Sequence, residues 1–140
     1  MIRDVLVDTG PLIALVDHRD RYHEWVRSQF DEILPPLQTC EAVLTEACFL
    51  AGRLPAGVPA VLGLFERGAC ALTLDLARNF DRVSGAIQKY GDVPMSLADA
   101  CLVRMSELVP GCVVLTLDRH FRIYRRHQRQ RIPLLMPPDV

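Results

Sequence analysis

The stretch GCVVLTL, residues 111–117, and the DRHF that follows it, residues 118–121, decide how the chain is read. Val113, Val114 and Leu115 form an apolar, mostly β-branched run bounded by a glycine and an aspartate, the pattern of a buried strand. A strand with no polar alternation is buried on both faces, which is the habit of a parallel sheet covered by helices. A second copy of the same ending, LTLD, stands at residues 72–75 and predicts a strand over Cys70–Leu74. VLV at residues 5–7 predicts a third, LQT at 37–39 a fourth, and Leu134–Met136 a last short one.

Helical patterns fill the intervals. GPLIALV (Gly10–Val16) is apolar on nearly every side, with Pro11 placed where a first helical turn tolerates it. Tyr22, Trp25, Val26, Phe30 and Ile33 fall on one helical stripe that Pro35 and Pro36 terminate. Thr39 is the expected N-cap of a helix that Gly52 closes, and Gly57–Gly68 is another helix. Asp75 caps a helix running to about Tyr90, YGDVP is a turn that includes Asp92, and Ser96 starts the next helix. A further helix is expected from about Arg119. Strands alternating with helices from end to end predict an α/β sandwich around a parallel sheet, in one domain spanning residues 1–140.

Composition narrows the class. The five cysteines are odd in number and show no C-x-x-C spacing, which argues against a zinc site or a disulfide framework. They read as buried thiols of a protein in a reducing, cytoplasmic setting. MIRDVLVD is too short and too acidic for a signal peptide, and no apolar run has the roughly 18 residues of a membrane span. Charge is uneven: Arg119–Arg131 holds six arginines and no acid, leaving −7 on the rest of a chain whose net charge is −1. Such a stretch is either an anion-binding edge or a solvated face.

In sheets of this kind ligands sit beyond the carboxyl ends of the strands. Four acids fall near that end. Asp8 ends the first strand, and Asp118 ends the strong one. Asp99 lies in SLAD, a capping-box spacing after Ser96. Glu46 is about 60° from Val43 and 40° from Leu50 on its helix, at the edge of the apolar face. Each has a plain alternative as a cap or an exposed helix residue. Together they would repel one another at one crevice unless protonated or neutralised. A hard divalent cation with oxygen ligands removes the conflict and can activate water at a phosphate.

VLVDTGPLIALVD, EAVLTEACFLAG, YGDVPMSLADACLV and VVLTLDRHFRIYR resemble, in that order, the signature segments of PIN-domain ribonucleases, above all the small VapC-type toxins of toxin–antitoxin pairs. The resemblance runs from Val5 to Tyr124. It implies a PIN-like α/β/α sandwich and metal-dependent endoribonuclease activity on RNA phosphodiester bonds. Asp8, Glu46, Asp99 and Asp118 are then the catalytic acids and the ligands of Mg²⁺ or Mn²⁺. Thr9 and Thr116 match positioning residues of second rank, while Arg119, Arg122, Arg125 and Arg126 are candidates for RNA-phosphate contacts. RNA is the implied substrate. An antitoxin protein and a second copy of the chain are candidate partners, and the Tyr22–Ile33 helix with Trp25 is a candidate protein interface unless Trp25 is core.

Three other readings compete. DTG at residues 8–10 also occurs in retroviral-type aspartic proteases, but those are all-β. A haloacid-dehalogenase-like phosphatase needs an aspartate where Gly10 stands. A catalytically silent PIN-like module that binds RNA or protein is the remaining alternative, though silent versions usually lose acids. The two LTLD aspartates separate the cap role from the chemical one. Asp75→Asn should keep both the helix cap and the activity, whereas Asp118→Asn should keep the fold and lose cleavage. Equal cleavage by parent and both variants would remove Asp118 from the site.

Overall fold

A computed structural model describes residues 1–140. Five short strands pair in parallel in the order β3-β2-β1-β4-β7, where β1 is Val5–Val7, β2 Leu37–Thr39, β3 Cys70–Leu72, β4 Val113–Leu115 and β7 Leu134–Leu135. Between them run α1 (Thr9–Val16), α2 (His23–Glu32), α3 (Glu41–Ala51), α4 (Gly57–Glu66), α5 (Leu76–Lys89) and α6 (Leu97–Leu108). β5 (Arg125–Arg126) and β6 (Gln130–Arg131) form a separate antiparallel hairpin.

The apolar runs become the centre of the sheet for the reason that marks them in sequence. Every residue of β1 is buried, as are Val114 and Leu115 of β4. They join one continuous core with Leu12 of α1, Val43 and Ala47 of α3, Val61 and Leu64 of α4, and Leu102 of α6. Trp25 and Phe30 of α2 pack partly buried against that core, so Trp25 contributes to packing as well as to surface. All five cysteines are free thiols.

The order of strands fixes where a ligand can sit. From β1 the chain moves outward one way through β2 and β3, then returns to the other side of β1 with β4 and β7. The reversal falls between β1 and β4. There the connections leave in opposite directions and open a crevice at the strands' carboxyl ends. The register pairs Val7 with Leu115, so the next residues, Asp8 and Thr116, emerge side by side at the crevice.

Three local expectations are corrected. Thr39 is not the N-cap of α3. It is the last residue of β2 and its Oγ1 donates to the Val7 carbonyl at 2.7 Å, while Cys40 holds the cap position without a side-chain bond. β3 stops at Leu72 instead of Leu74, although Thr73 N still donates to the Thr39 carbonyl. The arginine-rich stretch is not a helix beyond one 3-10 turn, Arg119–Arg122. Phe121 and Tyr124 are buried at a spacing of three, but no apolar residue repeats one turn later to hold a helix down. The chain instead turns back through His127 and Gln128, both at positive φ, to make the β5–β6 hairpin.

Candidate active site

Asp8 follows β1, is 6% exposed, and caps α1 by accepting from Thr9 N at 2.8 Å. Its other carboxylate oxygen accepts from Thr116 Oγ1 at 2.7 Å, and Thr116 Oγ1 in turn accepts from Asp118 N at 3.0 Å. Thr116, fully buried, therefore ties the ends of β1 and β4 together. Thr9 Oγ1 donates to Glu46 Oε2 at 3.0 Å, which brings α3 to the same place. Each threonine hydroxyl thus donates to one of the candidate carboxylates.

Asp99 enters from α6. The capping box is complete: Asp99 N donates to Ser96 Oγ at 3.0 Å and Ser96 N donates to Asp99 Oδ2 at 3.2 Å. Such a cap is worth about 1 kcal/mol. Yet Asp99 does more than cap, because Tyr124 OH also donates to its Oδ2 at 3.2 Å. Asp118 accepts from His120 N at 2.9 Å, and His120 Nδ1 lies 2.9 Å from the same oxygen.

The charges of neighbouring acids act on Asp8 and Asp99. Burial pushes the Asp8 carboxyl up to about 7, against hydrogen bonds from Thr116 and Thr9 that pull it down, and the charges of Asp99 and Asp118 raise it further. Asp99 is also raised, first by burial and, among smaller causes, by the charges of Asp118 and Glu46. Asp75 stands apart from them. It caps α5 through Arg78 N at 3.2 Å and pairs with Arg78 on the exposed surface beyond the edge strand β3. Asp118 also makes a cap-like bond, but only Asp118 shares its field with Asp8 and Asp99.

The donor set is all oxygen, which suits a hard divalent cation. No three of these side chains are already close enough to form one coordination cluster. Beside Asp118 lies an open depression of about 440 Å³, bordered by Tyr22, Arg119 and His120.

The arginine candidates divide. Arg119 is exposed beside Asp118, and Arg122 is exposed at the end of the 3-10 turn. Arg125 Nη1 is occupied by the carbonyls of Arg122, Ile123 and Tyr124 at 2.7–3.1 Å. Arg126 runs inward to the Ser106 carbonyl at 3.2 Å and to Cys112 Sγ, with its Nε buried and unpartnered. Ser106 and Cys112 lie near the end of α6 and before β4, so Arg126 belongs to the end of the sheet opposite the acids.

Two participants are not legible as site residues in the sequence. His120 is visible only as part of DRHF. Tyr124 is an aromatic residue in a basic stretch, and its role depends on the 3-10 turn that folds it back onto α6. Burial and the neighbouring Asp99 charge raise the Tyr124 hydroxyl above its usual range, so it stays protonated and donates. Tyr124→Phe should keep the fold, since the ring's edge contacts with Phe121 and Tyr90 remain. It should free one lone pair of Asp99 and lower any Asp99-dependent activity about tenfold, the scale of one lost hydrogen bond to a charged group. Matched pH–rate profiles for Tyr124→Phe and the parent would show that the hydroxyl does not act on Asp99.

No family model matches the sequence, and no curated protein does. The fold, with five parallel strands and helices on both faces, is a PIN-like α/β/α sandwich. A solved structure with the same architecture is VapC20 of Mycobacterium tuberculosis, described as a toxin that cleaves the sarcin-ricin loop. It is 17% identical, with a TM-score of 0.67 over 79% of this chain and 87% of that one. At that identity the likeness carries the fold alone, and the chemistry rests on the residues above.

Proposed function

We propose that this protein is a Mg²⁺- or Mn²⁺-dependent endoribonuclease, the toxin of a toxin–antitoxin pair, acting as a single cytoplasmic domain. What supports this reading is that Asp8 and Asp118 follow the two strands at the switch point of a PIN-like sheet, that Thr9 beside Asp8 bonds Glu46, and that the charge of Asp99 acts on Asp8. No helix is long and apolar enough to cross a membrane. RNA as substrate and an antitoxin as partner follow from the resemblance of the four sequence segments to VapC-type toxins, and the shared fold is consistent with it.

A divalent ion at this site would supply charge neutralisation at the scissile phosphate and lower the pKa of an attacking water. The protein's own part is to hold that chemistry in place. Asp8 and Asp99 provide the buried carboxylates, oriented by Thr116 and by Tyr124 with Ser96. Thr9 aims Glu46, and Asp118 closes the side next to the open depression. Arg119, at the rim of that depression, and the exposed Arg122 are candidates to contact flanking phosphates.

Purified protein should cut single-stranded RNA internally with Mg²⁺ or Mn²⁺ and stop when EDTA is added. Undiminished cutting in EDTA would point to a contaminating or metal-free nuclease and sink the reading.

A further inference from the structure

A second polar cavity is lined in part by Tyr90, whose ring meets that of Tyr124 edge-on. It has a volume of about 260 Å³ and is enclosed by α5, α6 and the β5–β6 hairpin. Arg82 and Lys89 reach it from α5, Arg104 from α6 and Arg125 from the hairpin, against Asp81 and Glu107 as the only acids. Glu107 is already engaged, with Oε1 on Arg104 Nη1 at 3.1 Å and Oε2 on His127 N at 2.7 Å.

The cations are held in place but not used up. Arg104, with its side chain only 20% exposed, is fixed by Asn79 through Nε at 2.8 Å and by Glu107, which leaves Nη2 without a protein partner. Lys89, the one lysine of the chain, spends a single Nζ bond on the Gln128 carbonyl at 2.9 Å and keeps two donors. Arg125 keeps Nε and Nη2. Spare donors from three separate elements, with two more positive than negative charges around them, suit a multiply charged tetrahedral anion better than a single carboxylate.

We propose that this cavity binds a phosphate group, and that the phosphate belongs to the RNA backbone at a nucleotide away from the cut. Tyr90 and Tyr124 join the cavity to the carboxylate site. Tyr90 OH accepts from Arg125 N at 2.9 Å, its ring meets that of Tyr124 edge-on at 5.2 Å, and Tyr124 holds Asp99. Arg104 is five residues beyond Asp99, about 8 Å along α6. A phosphate seated there marks the path of the strand past the active site. The RNA source rests on the ribonuclease reading, whereas the phosphate site does not.

The test uses the full chain carrying Asp8→Asn, so that RNA is bound but not cut, in metal-free buffer. Inorganic phosphate is titrated by amide NMR, and a short fluorescent single-stranded RNA by anisotropy at several salt concentrations. Phosphate should shift the amides of Lys89, Arg104 and Arg125, and Arg82→Ala/Lys89→Ala should abolish those shifts. The same double variant should weaken RNA binding about tenfold and flatten the slope of its logarithmic salt dependence by about 0.7 for each phosphate no longer held. Arg82→Glu, a change on an exposed helix position, should weaken both without disturbing the spectrum elsewhere.

Absence of phosphate-induced shifts at those amides in the folded protein overturns the site. Shifts that vanish in the double variant while RNA affinity is unchanged overturn the RNA source and leave a free phosphate compound as ligand. Pocket-dependent RNA binding by a wild-type chain that never cuts RNA supports the cavity and overturns the ribonuclease reading separately.

Discussion

Asp99→Asn should lower metal-dependent RNA cleavage by a factor on the order of 10³ while leaving the fold intact, the scale on which single groups supporting transition-state charge act. The substitution is close to isosteric. The Ser96 N and Tyr124 OH donors can still meet the amide oxygen, so the N-terminus of α6 keeps its cap. What disappears is one negative charge of a group whose members raise one another's protonation. Far-UV circular dichroism and melting temperature check the fold, and single-turnover cleavage with saturating Mn²⁺ reads the chemistry. A variant with unchanged single-turnover rate would reduce Asp99 to a helix cap.

The second large effect is on stability and has a defined sign. In the folded, metal-free protein Asp8 holds its proton up to about pH 7, while in the unfolded chain it releases it near the ordinary value of 3.8. Between these values the folded state binds more protons than the unfolded one, so stability falls as pH rises through the window and is flat above it. The gap corresponds to about 4 kcal/mol. Asp8→Asn removes this dependence. Its stability advantage over the parent should be a few kcal/mol at pH 8 and vanish at pH 4. Denaturant unfolding in EDTA at both pH values measures it, and parallel curves for parent and variant would show that Asp8 is not held at elevated pKa. Adding Mn²⁺ at pH 8 should stabilise the parent and not the variant, because the ion takes the place of the proton.

Much of this site could be anticipated from local sequence. Asp8 and Asp118 each end a buried apolar run, and Ser96 with Asp99 spells a capping box, so three of the four acids are marked by the elements they terminate or begin. Glu46 carries no such mark. Its approach to Thr9 depends on α3 lying beside α1, a consequence of strand order that no short stretch encodes. The two LTLD copies make the same point. They are identical in sequence and both aspartates act as caps, but β3 lies at the sheet edge and β4 at its switch point. Position in the sheet, not local sequence, separates Asp75 from Asp118.

The stretch after Asp118 is the least legible. Its arginines suggest a solvated helix, but two buried aromatic residues pull the chain into a 3-10 turn and a hairpin. That departure creates the Tyr124–Asp99 hydrogen bond, turns Arg126 inward and places Arg125 at the second cavity. Thr39 does not serve as the expected cap for a related reason: its hydroxyl finds a better partner in the Val7 carbonyl of the neighbouring strand.

The measurement that bears most directly on the central claim is calorimetric titration of Mn²⁺ into the RNA-free protein at pH 8, beside a folded Asp8→Asn/Asp99→Asn variant. Saturable binding by the parent that is lost in the variant is the predicted result, since carboxylates gathered at one crevice repel one another unless a cation joins them. Equal heats from both, or none from either, would mean that the acids are caps and solvated helix residues, and that this PIN-like fold serves some purpose other than metal-dependent cleavage.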